Sequence, residues 1–258
     1  ATFTRKNRWD PMESKCLRCP GFYLFYPISK NPVSVCPNTY KEHLLSASPI
    51  KTEHSLTLYL TGTTIERLAV LTMKIGILGA GFVGLTLAGR LLDLRSVQVL
   101  LIENHPERMI ELKSGRSYIL EPGLQAIIEL GIADKSLIVV DPESTQLFEA
   151  LFVTIGTPKP SKESDHKFYE VIEQHLAKLQ YEGILLLRST VSIGTTIKVK
   201  ELCLKNSRSD IRVVFAPERT AEGVALEELR QLPQILGADS EVEFQAASDF
   251  LNYLGFSI

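Results

Sequence analysis

Six consecutive residues, Gly79-Ala80-Gly81-Phe82-Val83-Gly84, carry the GxGxxG spacing. That spacing suits capture of a dinucleotide pyrophosphate: Gly79 allows a tight turn, Gly81 lets phosphate approach the backbone, and Gly84 lets a helix pack closely on a strand. The amides of the following turn, at Phe82 and Val83, then meet the phosphates at the positive end of a helix dipole. Glu103 lies nineteen residues past Gly84. A carboxylate there accepts hydrogen bonds from both adenosine ribose hydroxyls and repels a 2′-phosphate, which favours NAD over NADP. Arg108, a helical turn further on, either flanks the ribose or phosphate or is an ordinary surface arginine.

Such a constellation needs a strand, a turn and a helix in that order. Lys74–Leu78 is a short apolar run, the glycines follow without a gap, and Leu85, Leu87, Ala88, Leu91 and Leu92 recur at helical spacing. Further strands are expected at 97–102, 137–140, 150–155, 183–187 and 211–215, with a possible last one at 234–236. Helices fit between them at about 106–114, 122–130, 166–180, 194–205 and 240–254. The alternation predicts an α/β, Rossmann-like doubly wound, mostly parallel sheet with helices on both faces.

The loops after the later strands are rich in small and polar residues: Gly156-Thr157-Pro158-Lys159-Pro160, Ser189-Thr190-Val191 and Ala216-Pro217-Glu218-Arg219-Thr220-Ala221-Glu222-Gly223. Ligands of open parallel sheets sit outside the carboxyl ends of the strands, so these loops are expected to converge on one crevice. Taken singly, Thr190 could be a helix cap and Glu218 half of an ion pair.

The 258 residues carry 28 Lys plus Arg against 30 Asp plus Glu, a formal charge of −2, with 45% hydrophobic residues. This composition argues against wholesale disorder and against a basic nucleic-acid-binding surface. No apolar run reaches the ~18 residues of a membrane span and no secretion signal opens the chain, so a cytoplasmic location is expected. Residues 1–72 differ from the rest, with nine basic and five acidic side chains, six of the 13 Pro, three of the four Cys and two of the 16 Gly. They lack sustained periodicity and are expected to be an irregular extension, not native to the protein, ahead of an NAD-binding domain over 73–258. A zinc module from Cys16, Cys19, Cys36 and His43 is the rival; one CxxC pair is a weak signal, and no metal is expected.

Together, Lys74-Ile-Gly-Ile-Leu-Gly-Ala-Gly-Phe-Val-Gly-Leu85, Glu121-Pro-Gly-Leu124, Gly156-Thr-Pro158, Ser189-Thr-Val-Ser-Ile-Gly-Thr-Thr196 and Pro217-Glu-Arg-Thr-Ala-Glu-Gly223 resemble the UDP-glucose/GDP-mannose dehydrogenases. That family oxidises the C6 alcohol of a nucleotide sugar to a carboxylate with two NAD. The loop 217–223 and Leu232-Pro-Gln-Ile-Leu-Gly237 are most similar to the UDP-N-acetylmannosamine branch. The resemblance implies that Thr157 contacts the dinucleotide and that Thr190 helps hold cofactor and a water. It further implies that Glu218 is the general base and that Glu222 lines the same pocket.

The resemblance covers about residues 73–258. It implies a chain that stops before the family's central dimerisation helix, its lysine and asparagine, its nucleophilic cysteine and its second domain. The expectation is a piece that holds NAD without turnover. Its UDP-sugar substrate and a homodimer partner would belong to the longer protein, with neither nucleic acid nor membrane as a partner. The alternatives are a stand-alone NAD-binding or redox-sensing module, and a dehydrogenase for a hydroxyacyl or phosphogluconate substrate, which should lack the 217–223 stretch.

Overall fold

The computed structural model describes residues 72–94, 96–157 and 162–258. The zinc candidates, the 1–72 extension save Thr72, and Pro158, Lys159 and Pro160 lie outside the described residues. The elements run β1 (Met73–Leu78), α1 (Phe82–Leu92), β2 (Val97–Ile102), α2 (Pro106–Lys113), α3 (Leu124–Asp134), β3 (Leu137–Val140), β4 (Phe148–Val153) and α4 (Lys162–Leu176). They continue β5 (Leu179–Leu187), α5 (Thr195–Lys205), β6 (Arg212–Phe215), α6 (Ala225–Gln231) and α7 (Glu241–Tyr253).

The six strands form one sheet in the order β3-β2-β1-β4-β5-β6. Every neighbouring pair is parallel. The order reverses direction between β1 and β4, which opens a crevice at their carboxyl ends.

Strands covered on both faces must be apolar at successive positions, and the alternation divides those residues between two cores. Ile75, Ile77, Val99, Leu101 and Leu186 pack in one cluster with Leu85, Leu124, Leu226 and Leu251 from α1, α3, α6 and α7. Leu78, Leu100, Ile102, Leu185 and Leu187 pack on the other face with Phe168, Ile172, Val199 and Cys203 from α4 and α5. Among the described residues no helix is long and apolar enough to cross a membrane.

Three expectations need correction. The helix foreseen at 166–180 ends at Leu176, and β5 starts at Leu179. Lys178 N–H turns back to His175 O (3.0 Å), Lys178 O receives the β4 amide of Phe148 (3.1 Å), and the β4–β5 register is irregular there. The last strand expected at 234–236 is instead one antiparallel bridge between Phe215 and Gly237. Pro233 precedes it, and the Gln234 side chain turns inward to a buried arginine. The short helix α6 was not foreseen; its seven residues span too few turns for a periodic signal.

Candidate coenzyme site

The glycine turn is built as its spacing demands. Gly79 has φ +104°, a conformation that side chains strain against, and its N–H bonds Ile102 O at 2.9 Å. A Cβ on Gly84 would fall 1.9 Å from Gly79 O and 2.8 Å from Thr154 Oγ1, so only glycine lets α1 approach the strand this closely. A Cβ on Gly81 would meet no atom within 4 Å: the space beside it is open. Gly81 is the N-cap of α1, its carbonyl accepts the first intrahelical bond from Leu85, and no side chain caps the helix. The amides of Phe82 and Val83, in the first turn, therefore lack intrahelical acceptors.

Glu103 directly follows the last residue of β2 and is 5% exposed. Its Oε1 accepts from Asn104 N and His105 N, both at 2.9 Å, and its Oε2 accepts from Ala80 N at 3.2 Å. Arg108 Nη1 lies 3.9 Å from Glu103 Oε2 and remains half exposed. Gly79, Gly81, Glu103, Arg108, Gly156 and Phe168 contribute to the walls of a groove of about 430 Å³ along the carboxyl ends of the strands. Open space at Gly81, an uncapped helix N-terminus and a carboxylate at the end of β2 fit a dinucleotide.

Thr157, Thr190, Glu218 and Glu222 are not part of that groove wall. The first two are brought together: Thr157 Oγ1 donates to Thr190 O at 2.7 Å, and both residues are exposed. Ser189 Oγ reinforces this junction by donating to Ile155 O at 2.6 Å.

Glu218 pairs through Oε2 with the Arg188 guanidinium, and its Oε1 accepts from Arg219 N (2.8 Å) and Thr220 N (3.0 Å). Burial raises a carboxyl's pKa, but Arg188 and these two amides outweigh it and hold Glu218 below the usual carboxylate range. Glu222 is exposed on the loop before α6.

Several contributors escaped the sequence reading. Thr154 Oγ1 donates toward Leu78 O (2.9 Å) and Gly79 O (2.8 Å), bracing the glycine turn from β4. Arg188 is 1% exposed and also donates to Gln234 Oε1 at 2.8 Å. Its signal was an arginine directly after the apolar strand residues Ile184–Leu187. Glu121, noticed only within Glu121-Pro-Gly-Leu, is buried and accepts from Gly223 N (2.7 Å) and Leu226 N (3.3 Å), tying the 217–223 loop to the start of α3. Tyr118 left no signal in the pattern; its hydroxyl donates to Ala80 O.

Sheet order, glycine turn and groove together define a Rossmann-type dinucleotide-binding domain. Residues 73–254 match the NAD-binding domain of the UDP-glucose/GDP-mannose dehydrogenase family. The chain belongs to that family, and NAD is the coenzyme of the matched domain. UDP-glucose 6-dehydrogenase of Pseudomonas aeruginosa is 31% identical over 181 residues, 66% of this chain and 40% of the relative. UDP-N-acetyl-D-mannosamine dehydrogenase of Campylobacter jejuni is 26% identical over 181 residues, 64% of this chain and 43% of the relative. The solved UDP-D-ManNAc dehydrogenase of Pyrococcus horikoshii superposes with a TM-score of 0.63 at 25% identity, over 72% of this chain and 45% of that one. The match thus spans less than half the length of these relatives.

Proposed function

We propose that the chain carries the coenzyme-binding part of a nucleotide-sugar 6-dehydrogenase, which oxidises the C6 alcohol of a UDP-sugar to the uronate with two NAD. The supporting observation is the groove running from the Gly81 cradle to Glu103, within a stretch that matches the family over residues 73–254. Gly79, Gly81, Phe82, Val83 and Gly84 receive the pyrophosphate, Glu103 accepts from the ribose, and Arg108 flanks it. Bound NAD supplies the hydride acceptor for each oxidation.

The remaining residues would handle water and protons. Thr157 and Thr190 form the edge at which coenzyme and substrate meet, with Glu222 on the 217–223 loop. Glu218, kept ionised by Arg188, orients a water or takes the hydroxyl proton. Acid formation by the family's route also needs a thiol. Cys203, the free cysteine among the described residues, is 2% exposed inside the α4–α5 face, and burial pushes its thiol up to about 11. It is placed as a packing residue. In this reading the reacting thiol, the lysine, the asparagine and the dimerisation helix belong to the family length that the match does not span.

Calorimetric titration with NAD and NADP tests the coenzyme assignment. NAD is expected to bind preferentially, and Glu103→Gln to narrow the preference by about tenfold through loss of the charge. Equal affinities in the wild-type chain would remove the role given to Glu103. With NAD and UDP-glucose or UDP-N-acetylmannosamine together, no NADH is expected; NADH formation would show that the chain suffices for oxidation.

A further inference from the structure

Tyr118 touches the coenzyme site from behind. It is not part of the groove wall, yet it reaches two groups that are. Its hydroxyl donates to Ala80 O, inside the glycine turn. Its ring lies 5.4 Å from the Arg108 guanidinium carbon, within cation–π range. The Ala80 N–H is meanwhile taken by Glu103 Oε2 at 3.2 Å, so both polar groups of Ala80 are held by side chains distant in sequence.

Peptide planarity turns that contact into an effect on the ligand side. No described peptide bond is cis, and in a trans peptide the C=O and the next N–H point in opposite directions. Fixing Ala80 O toward Tyr118 therefore points the Gly81 N–H away from Tyr118. Gly81 lines the groove, and the space a Cβ would take there is open. Burial, with the Glu103 charge adding to it, pushes the phenol up to about 12, so the hydroxyl keeps the proton it donates at any physiological pH.

The ring acts on the other end of the groove. Arg108 Nη1 is 3.9 Å from Glu103 Oε2, too far for a direct hydrogen bond, while its guanidinium sits over the Tyr118 ring. Glu103 is the carboxylate already within ion-pair distance of Arg108, and without the ring nothing holds the guanidinium back from closing that gap. A direct pair there would occupy the oxygen that a ribose hydroxyl needs and offset the charge that rejects a 2′-phosphate.

We propose that Tyr118 is a positioning residue of the coenzyme site, aiming the Gly81 amide at the pyrophosphate through its hydroxyl and holding Arg108 off Glu103 through its ring. The two arms separate experimentally. Tyr118→Phe removes the hydroxyl alone and is expected to weaken NAD and NADP equally, by about fivefold, since both carry the pyrophosphate. Tyr118→Leu removes the ring as well. It is expected to weaken NAD more than NADP, lowering the NAD:NADP affinity ratio by a further ~3-fold or more. In an Arg108→Leu background the same Tyr118→Leu change should leave the ratio unaltered.

Affinities are read by calorimetry on the whole chain, alongside thermal unfolding to establish that each variant is folded. A Tyr118→Phe chain that loses thermal stability but keeps both affinities overturns the hydroxyl arm. A Tyr118→Leu chain with the wild-type ratio, or a ratio change that persists without Arg108, overturns the ring arm.

Discussion

The coenzyme groove and the loop cluster around Glu218 sit along the same edge of one sheet, but they are finished to different degrees. In the groove the backbone is committed and the ligand side is open: Gly81 faces empty space and the first amides of α1 lack intrahelical acceptors. In the loop cluster the polar groups have already found one another. Thr157 bonds the Thr190 carbonyl, and both oxygens of Glu218 are engaged by Arg188 and two amides. A βαβ unit and the ends of its neighbouring strands suffice to build the groove, whereas the loop cluster spends its polar groups on one another. The first region is poised for a ligand; the second is held in shape by internal bonds.

The severest disruption of the groove should come from Gly84→Ala. The new methyl would lie 1.9 Å from Gly79 O, and both positions are backbone, so neither a rotamer change nor a small shift relieves the clash. We expect a loss of about 3 kcal/mol or more, above the usual overpacking range for one methyl, with NAD binding lost in whatever remains folded. Urea unfolding with calorimetry checks both; a stable Gly84→Ala chain that binds NAD normally would contradict the close packing.

The loop cluster is tested by Arg188→Met. This variant strands the nearly buried Glu218 carboxylate, side chain 8% exposed, without its counter-ion and removes the donor from Gln234. Breaking such a buried pair costs about 3–5 kcal/mol. If the regions are independent, NAD affinity at a temperature where the variant is folded should stay within about twofold of wild type. A tenfold loss would mean that the loop cluster supports the groove.

Two titrations give a smaller, pH-dependent difference. Glu218 has a folded pKa depressed below its unfolded value of 4.5, so its contribution is present above that pH and fades as pH falls through the folded value. His175, fully buried in the last turn of α4, is shifted down from 6.5 chiefly by burial. Its neutral form is the one the fold accepts, so stability should begin to drop as pH falls below about 6.5, well before Glu218 matters. Unfolding midpoints measured from pH 7 to about pH 3 should show two phases, with His175→Leu removing the upper and Glu218→Gln the lower. A single phase that survives His175→Leu would contradict the burial argument.

How far each region could be read from the chain follows from the same contrast. The glycine spacing, the strand before it and Glu103 at the end of β2 lie within thirty residues of one another, and local pattern reports local structure. β2 and β3 were legible to the residue because apolar runs bounded by polar residues leave few alternatives. The start of β5 was not: Leu179-Gln180-Tyr181-Glu182 has three exposed residues and continues a helical pattern, and only pairing with β4 makes it a strand. Arg188–Gln234, Glu121–Gly223 and Tyr118–Ala80 join residues 46, 102 and 38 positions apart. No periodicity encodes such contacts. The family motifs marked Thr190 and Glu218 as chemically important but not the arginine that fixes the protonation of one of them.

The mildest test falls on the boundary between the regions. Thr157 is exposed and donates to Thr190 O at 2.7 Å, while its neighbour Gly156 lines the groove. Thr157→Val deletes that bond at nearly constant volume, and because both partners can turn to water the stability cost should be about 0.5–1 kcal/mol. Thr157 was assigned to dinucleotide contact, yet here its hydrogen is committed to a carbonyl, leaving only its lone pairs to offer a ligand. A coenzyme amide could use those lone pairs; a phosphate oxygen could not. NAD affinity of Thr157→Val should therefore fall about threefold or less. A loss above tenfold, restored by Thr157→Ser, would show that the hydroxyl leaves Thr190 when NAD arrives, and that the groove closes by drawing the loop cluster into it.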